Sequence, residues 1–310
     1  MNSPILSIVI ANYNYGRFLE EAILSVLRQA DSAVELIVVD GGSTDNSVEI
    51  IRKYAGEKVV VGVSPERSEL RSRRYAGCRS RTAEGQKISY WVSEPDKGQS
   101  DAFNKGFAKA RGKYLTWLNA DDVLVPGALA AVVRELTAYP ECEWFTGNFY
   151  RFIDETGRIS EVGWGPHIYP KWMQRRNSPI VSFGPSTIFA KSLWERIGRI
   201  DESIHLMMDT DLWMRFIVAG VKQRRIAKFI WAFRMHEDSK TAEFGAHKLD
   251  NARAQKFNEE RRRSVARTGY KVSPFWRFAV IALRLADGSL LRRWYLMQTM
   301  KRHQIATGGV

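Results

Sequence analysis

Two cysteines, Cys78 and Cys142, are all that the 310 residues contain. Two cannot build a disulfide framework and they form no zinc-ligand pattern, so a reducing compartment is expected. Long apolar runs are also missing. A membrane-crossing helix needs ~20 apolar residues, and the first apolar run, Ile5 to Ala11, is too short even for a signal-peptide core and has no basic region before it. A cytoplasmic protein is the expectation. The chain has no DNA-binding motif and lacks the glycine–aromatic signature of RNA-recognition modules, so nucleic acid is not expected as a partner. It also lacks a glycine-rich phosphate loop with Arg and Lys after its first strand. Ala11-Asn12-Tyr13-Asn14-Tyr15-Gly16 stands there instead, which argues against a sugar nucleotidyltransferase.

Acidic residues are in deficit, 34 Asp and Glu against 47 Lys and Arg, for a net charge of +13. Such a surplus suggests an anionic partner, either a phosphorylated substrate or an acidic membrane face. The 45% hydrophobic content is ordinary for a globular protein, and the length suits one large α/β domain with or without an appendage.

Ile5 to Ala11 is apolar on both faces, as a central parallel strand should be. Phe18, Ala22, Ile23, Val26 and Leu27 share one helical face. Leu36 to Val39 forms a second buried strand ending in Asp40, and Gly41-Gly42-Ser43-Thr44-Asp45 supplies a turn and helix caps. Val48, Ile51 and Tyr54 continue as a helix, and Val59 to Val63 reads as a third strand. This β-α-β-α-β opening predicts a doubly wound, mostly parallel sheet flanked by helices. Pro65 to Lys87 breaks the rhythm with six arginines and reads as a basic surface insertion or a plain solvated loop. Ser100 is expected to cap a helix bearing Phe103 and Phe107. The hairpin signal Asp154-Glu155-Thr156-Gly157 predicts antiparallel strands in the second half.

Tyr114 to Leu118 forms a buried strand that runs into Asn119-Ala120-Asp121-Asp122. Ligands sit beyond the carboxyl ends of strands in such sheets. Adjacent carboxylates repel, and a divalent cation relieves the repulsion. A helix cap plus a solvated turn acid is the alternative these residues leave open. Pro126 is expected at the first position of the next helix. From Asp250 onward thirteen Lys and Arg face four acids, interleaved with Phe275, Trp276, Phe278, Ile281, Trp294 and Tyr295. A basic helix with aromatic residues opposite suits interfacial binding to an anionic membrane through residues 250–302. The alternative is a helix packed back on the domain with its basic face in water.

Asn12-Tyr13-Asn14, Asp40-Gly41-Gly42-Ser43-Thr44-Asp45, Asp96-Lys97-Gly98, Asn119-Ala120-Asp121-Asp122 and Asp209-Thr210-Asp211-Leu212-Trp213 together resemble the family 2 glycosyltransferases of GT-A fold, in order and spacing, over residues 5 to about 240. The resemblance implies a GT-A domain over 1–245, with the insertion 65–87, followed by a basic amphipathic helical extension over 246–310. It implies an inverting transfer from a nucleoside-diphosphate sugar, with UDP favoured, to a hydroxyl of a lipid-linked saccharide or polysaccharide at the inner face of the cell membrane. Asp40 would accept from a base N–H, with Asn12 and the backbone near Ala11 lining the slot. Asp96 would lie near the nucleoside, Lys97 would face phosphate, and Gly98 would let the backbone approach closely. Asp121 and Asp122 would hold Mg²⁺ or Mn²⁺ against the diphosphate, with His236 completing the coordination. Asp209 would be the general base and Asp211 its capping neighbour. The chain departs from the family's usual form at Asn119, where an Asp is usual, so this position would contact ribose without adding charge. That departure leaves a non-catalytic nucleotide-sugar-binding or scaffold protein as the competing class.

Overall fold

The computed structural model describes residues 3–55, 87–153, 158–163, 184–236 and 251–271, with scattered positions between 278 and 298. It opens with β1 (Leu6–Asn12), α1 (Gly16–Leu27), β2 (Val34–Asp40) and α2 (Ser47–Ala55). The strand expected at Val59 to Val63 lies outside the described residues, as does the stretch 65–87 apart from Lys87. β1 and β2 pair in parallel, from Leu6 opposite Val34 to Asn12 opposite Asp40. This register ends both strands at the same level, so the turns that follow lie side by side. β3 (Tyr90–Ser93) pairs with β2, and after α3 (Gln99–Lys109) the chain crosses to place β4 (Tyr114–Asn119) on the other side of β1. The strand order reverses between β1 and β4, which is the switch point where doubly wound sheets form their crevice.

Beyond β4 the sheet mixes directions. The remaining strands are β5 (Val123–Leu124), β6 (Trp144–Ile153), β7 (Arg158–Gly163), β8 (Thr187–Ala190) and β9 (Gln223–Met235). β8 runs antiparallel to both β4 and β6, β9 runs parallel to β6, and β5 closes the edge antiparallel to β9. β7 pairs antiparallel with β6 across the expected hairpin.

Burial explains the sequence pattern. Ile8, Val9, Ile10, Ile37, Val38 and Val39 are all sealed from solvent because helices cover both faces of the parallel half. α4 (Ala128–Ala138) and α5 (Lys191–Ile197) complete the cover of the sheet, and α6 (Met208–Val218) is joined to it through indole rings. Trp213 of α6 stacks on Trp117 of β4 at 5.6 Å and on Trp144 of β6 at 5.9 Å between centroids. Large aromatic area held in stacked pairs stabilises beyond simple burial, and here it fixes the helix that carries Asp209.

Two local expectations fail for identifiable reasons. Gly127, in the left-handed region, is the N-cap of α4 and the helix starts at Ala128, so Pro126 lies in the preceding turn. Gly98 is the N-cap of α3, and Ser100 instead donates from Oγ to the Ile204 carbonyl at 3.2 Å. In the tail, α7 (Asn251–Thr268) packs back on α6, with Glu260, Ser264 and Tyr270 buried. That half of the tail follows the packed-back alternative.

α3 lies very close to β1. A Cβ on Gly106 would stand 2.3 Å from Val9 Cγ1, and Val9 is fully buried and has no room to yield. Replacing Gly by Ala within a helix ordinarily gains about 1 kcal/mol. Here overpacking of about 1–3 kcal/mol outweighs that gain. Gly106→Ala should therefore lower the Tm by several degrees in a thermal melt followed by circular dichroism, and a raised Tm would contradict this packing.

Candidate active site

A cavity of about 820 Å³ opens at the carboxyl ends of β1, β2 and β4. Its walls come from the turn after β1, the turn between β3 and α3, the end of β4 and the segment 205–209 leading into α6. Among the residues singled out in the sequence, Ala11, Asn12, Asp96, Gly98, Asn119, Asp121 and Asp209 line it; Asp40, Lys97, Asp122 and His236 do not.

Most of the first two motifs is spent on holding itself together. Asp40 is fully buried and its four acceptor positions are filled: Asn12 Nδ2 at 2.6 Å and Ser43 Oγ on Oδ1, with Ser43 N–H at 2.9 Å and Ser93 Oγ at 2.6 Å on Oδ2. In this arrangement Asp40 stands behind the cavity wall and shapes the slot, where direct contact with a base had been expected. Asn14, held at φ 56°, links the two turns by donating its N–H to Ser43 Oγ and accepting from the Thr44 N–H, each at 2.8 Å. Asp45 accepts from the N–H groups of Gly16 and Ser47, capping α2 and fastening it to α1. One atom is left over. Asn12 Oδ1 is a buried acceptor without a hydrogen-bond partner, on a side chain that lines the cavity.

Asp96 accepts from the Gly98 N–H at 2.7 Å, which folds the β3–α3 turn over the cavity. Gly98 adopts φ 111°, a conformation that disfavours any side chain. Lys97 is exposed and outside the cavity, with its backbone N–H donating to Asp101 at 3.0 Å.

The acid pair divides into two unlike halves. Asp122 is wholly buried, accepting from Asn119 Nδ2 at 2.7 Å and from the Arg234 N–H at 3.0 Å. Burial, and then the charge of Asp121, push its carboxyl well above the ordinary range. Asp121 faces the cavity, and its Oδ2 lies 3.1 Å from His236 Nε2. The ring of His236 is packed between Tyr15 and Phe18, and its Nδ1 lies 3.2 Å from Arg17 Nη2. Arg17 can only donate, so Nδ1 accepts and Nε2 carries the proton toward Asp121. Among the described residues no cluster of three or more His, Cys, Asp or Glu forms. Asp121 offers the cavity a carboxylate oxygen that fits a divalent cation, and His236 Nε2 would join it as a ligand only with its proton moved to Nδ1, which requires the exposed Arg17 side chain to turn away. Further coordination would be left to oxygens of a bound diphosphate.

Asp209 sits in the first turn of α6, where the helix dipole favours a negative charge. Its Oδ1 accepts from the N–H of Thr210 at 2.6 Å and its Oγ at 3.2 Å. Burial raises its pKa above the ordinary carboxylate value, and the hydrogen bonds from Thr210 and the Gly184 N–H only partly offset this. Asp211 is no cap. It is fully buried and bound by Arg215 at 3.0 Å and by Arg267.

Several cavity residues escaped the sequence reading. Tyr13 is 58% exposed, an aromatic ring at the rim of the first turn, and its place between Asn12 and Asn14 was the available signal. Gln99 donates to Asn119 Oδ1 at 3.0 Å, so both ends of the Asn119 amide are engaged within the protein. His205 had no sequence signal, because it stands in an irregular segment between motifs.

A doubly wound sheet with antiparallel additions past β4, a crevice at the switch point and an acid at its strand end define the GT-A class of fold. A model of glycosyl transferase family 2 matches residues 7–196, more than half of the chain, and the chain belongs to that family. An uncharacterized glycosyltransferase of Nostoc sp. is 35% identical over 129 residues, 42% of this chain and 32% of that protein. One from Rickettsia prowazekii is 27% identical over 223 residues, 69% of this chain and 59% of that protein. The chain thus spans about a third to three fifths of the length of these curated relatives. Among solved structures, S. aureus TarS 1-349 in complex with UDP-GlcNAc aligns with a TM-score of 0.53 at 12% identity, over 82% of this chain and 65% of that one. The mannosyltransferase PcManGT from Pyrobaculum calidifontis, in complex with GDP-Man and Mn²⁺, aligns with a TM-score of 0.52 at 15% identity, over 97% and 85%. The family match ends before Asp209, His236 and α7.

The Asn119 amide explains its own departure from the usual acid. Asp at 119 would set a second carboxylate against buried Asp122 in place of a donor. Leaving a buried group unsatisfied costs about 1–3 kcal/mol. Asn119→Asp should therefore lower stability by that order. The loss should deepen as pH rises, because a carboxyl whose folded pKa is raised favours the fold only while protonated. Denaturant melts at several pH values check this, and equal stability throughout would contradict it.

Proposed function

We propose that the chain is an inverting glycosyltransferase that moves a sugar from a nucleoside-diphosphate sugar to a hydroxyl of a lipid-linked saccharide or polysaccharide. The observation that carries this reading is that Asp121, paired with His236, and Asp209, in the first turn of α6, face one cavity at the switch point of the sheet. Its supports for a nucleotide-sugar donor are family membership and the structural likeness to proteins crystallised with UDP-GlcNAc and with GDP-Man. Asn12 Oδ1, the acceptor without a partner, suits a base that offers a ring N–H, as uracil does at one edge. Ala11 and Asp96 line the same wall, with Asp40 setting the orientation of Asn12 behind it.

Asp121 and His236 would hold the divalent cation, which when bound neutralises charge on the diphosphate leaving group. An imidazole among the ligands argues for Mn²⁺ over Mg²⁺, which prefers oxygen. Asp122 acts behind this pair, holding the ends of β4 and β9 together. Asn119, already bonded to Gln99 and Asp122, stiffens the floor of the cavity. Asp209 would take the proton from the acceptor hydroxyl as its oxygen attacks the anomeric carbon from the face opposite the diphosphate. A raised pKa makes Asp209 a better proton acceptor than an ordinary aspartate while leaving it ionised above that pKa.

The tail supports an acceptor met at a membrane. Beyond α7, Phe278, Ile281 and Leu285 recur at the spacing of one helical face and, past Gly288, Leu291 and Trp294 lie one turn apart; all five are more than half exposed, in a stretch rich in arginine. No helix among the described residues is long and apolar enough to cross a membrane. Contact in the plane of an anionic surface fits this composition.

Asp209→Asn should reduce transfer by about 10²–10⁴-fold while donor affinity stays within a few-fold, measured by turnover and by calorimetric titration of the nucleotide sugar. A parallel loss of affinity and turnover would sink the base assignment. In the unaltered protein the acid limb of the kcat profile should lie above the pKa of an ordinary aspartate, since turnover falls as the base is protonated. Co-sedimentation should show binding to vesicles containing phosphatidylglycerol but not to pure phosphatidylcholine, weakened several-fold by Phe278→Ala with Trp294→Ala. Equal recovery with both vesicle types would contradict membrane contact of this kind.

A further inference from the structure

The segment 199–207, between α5 and α6, forms one wall of the cavity without belonging to any helix or strand. Its position is therefore set by side chains that reach it from elsewhere. From α3, Asn104 holds both the N–H and the carbonyl of Ile200, at 3.0 and 2.8 Å, and Ser100 holds the Ile204 carbonyl. The next two residues, His205 and Leu206, both line the cavity, and they are held from the opposite side by α7. Glu260 accepts from the His205 N–H on Oε1 at 3.1 Å and from the Leu206 N–H on Oε2 at 2.8 Å. Seven residues along α7, Arg267 binds Asp201 before this wall and Asp211 after it.

Glu260 is fully buried. A carboxylate is an expensive way to satisfy two amides, since burying a charge costs several kcal/mol before its partners repay it. What it supplies is direction. Two adjacent N–H groups on the two oxygens of one carboxylate leave the peptide between His205 and Leu206 little freedom to rotate, and that sets the side-chain exits of both residues. The His205 ring then faces the backbone of Gly98 across the cavity mouth, with Nδ1 3.9 Å from where a Cβ on Gly98 would be. Asp209 follows within one turn of α6, and its backbone frame is braced by the same helix through Asp211 and Arg267.

We infer that Glu260 is a positioning residue for the transfer reaction: through the His205–Leu206 peptide it fixes the cavity wall beside Asp209, so that the acceptor oxygen is aligned with the base. The inference rests on the transferase reading above and extends the working site to a helix beyond the family match.

The test compares Glu260→Gln, which keeps shape but removes one acceptor oxygen, with Glu259→Gln, an exposed neighbour on the same helix. Turnover is read as nucleotide release from UDP-GlcNAc and from GDP-mannose with Mn²⁺, and amide exchange is followed over residues 199–211. Glu260→Gln should lower kcat about 10- to 100-fold, the effect of misplacing a reacting group by about 1 Å. KM for the donor should stay within about twofold, and Glu260→Asp should recover part of the loss. Exchange should quicken over 205–211 in Glu260→Gln and stay unchanged in Glu259→Gln. An unaltered kcat, or a kcat loss matched by a rise in donor KM, would overturn the inference. If the unaltered protein released no nucleotide from either donor, the transferase reading would fail by itself. The exchange data would then decide the wall contact, with unchanged exchange at 205–211 overturning it.

Discussion

A carboxylate with no access to water organises the site. Asp122 takes the Asn119 amide on one oxygen and the Arg234 N–H on the other, tying the end of β4 to the end of β9. Arg234 completes the knot by donating from Nε to the Asp121 carbonyl at 2.9 Å and by pairing with Glu21 of α1. Three elements far apart in sequence are thereby held in one place, and His236 is delivered to Asp121 as the next residue but one after Arg234. Removing any donor would leave a buried acceptor unsatisfied, at a cost of about 1–3 kcal/mol. The acid that the cation reading needs is exposed to the cavity only because its neighbour is not.

The same division of labour recurs around the cavity. Ser43 joins Asp40 to Asn14, Asp45 takes the N–H groups of Gly16 and Ser47, and α3 and α7 satisfy the wall at 200–206. Facing the cavity are the Asn12 acceptor, which has no hydrogen-bond partner, Asp121 beside His236, and Asp209. The central aromatic stack through Trp117, Trp213 and Trp144 does for the far side of α6 what the polar knots do for its near end.

Much of this was legible in the sequence. The apolar runs ending in Asn12, Asp40 and Asn119 identified the parallel strands and the level at which they stop, because strand burial on both faces leaves a plain signature. The GT-A architecture and the cavity residues Ala11, Asn12, Asp96, Gly98, Asn119, Asp121 and Asp209 followed from the motifs. What was not legible depends on contacts across the chain. Adjacent Asp121 and Asp122 look alike in sequence, and only the approach of Arg234 from 112 residues away separates the buried acid from the exposed one. Asp40 reads as a ligand until Ser43 and Ser93 are seen to fill its oxygens. Ser100 and Asp211 read as caps by spacing, yet tertiary partners claim both. Glu260 carries no motif at all.

The cavity is proposed to hold a nucleoside-diphosphate sugar against a cation on Asp121. The most direct measurement is a thermal-shift panel of nucleotide sugars with and without Mn²⁺, on the unaltered protein and on Asp121→Asn. A ligand that binds only the folded state raises Tm, by about 2.7 kcal/mol of stabilisation at a hundred times its Kd. At least one UDP-sugar should raise the Tm of the unaltered protein, Mn²⁺ should enlarge the shift, and Asp121→Asn should remove the Mn²⁺-dependent part. A panel in which no nucleotide sugar shifts the Tm, or in which Asp121→Asn responds to Mn²⁺ as the unaltered protein does, would contradict it.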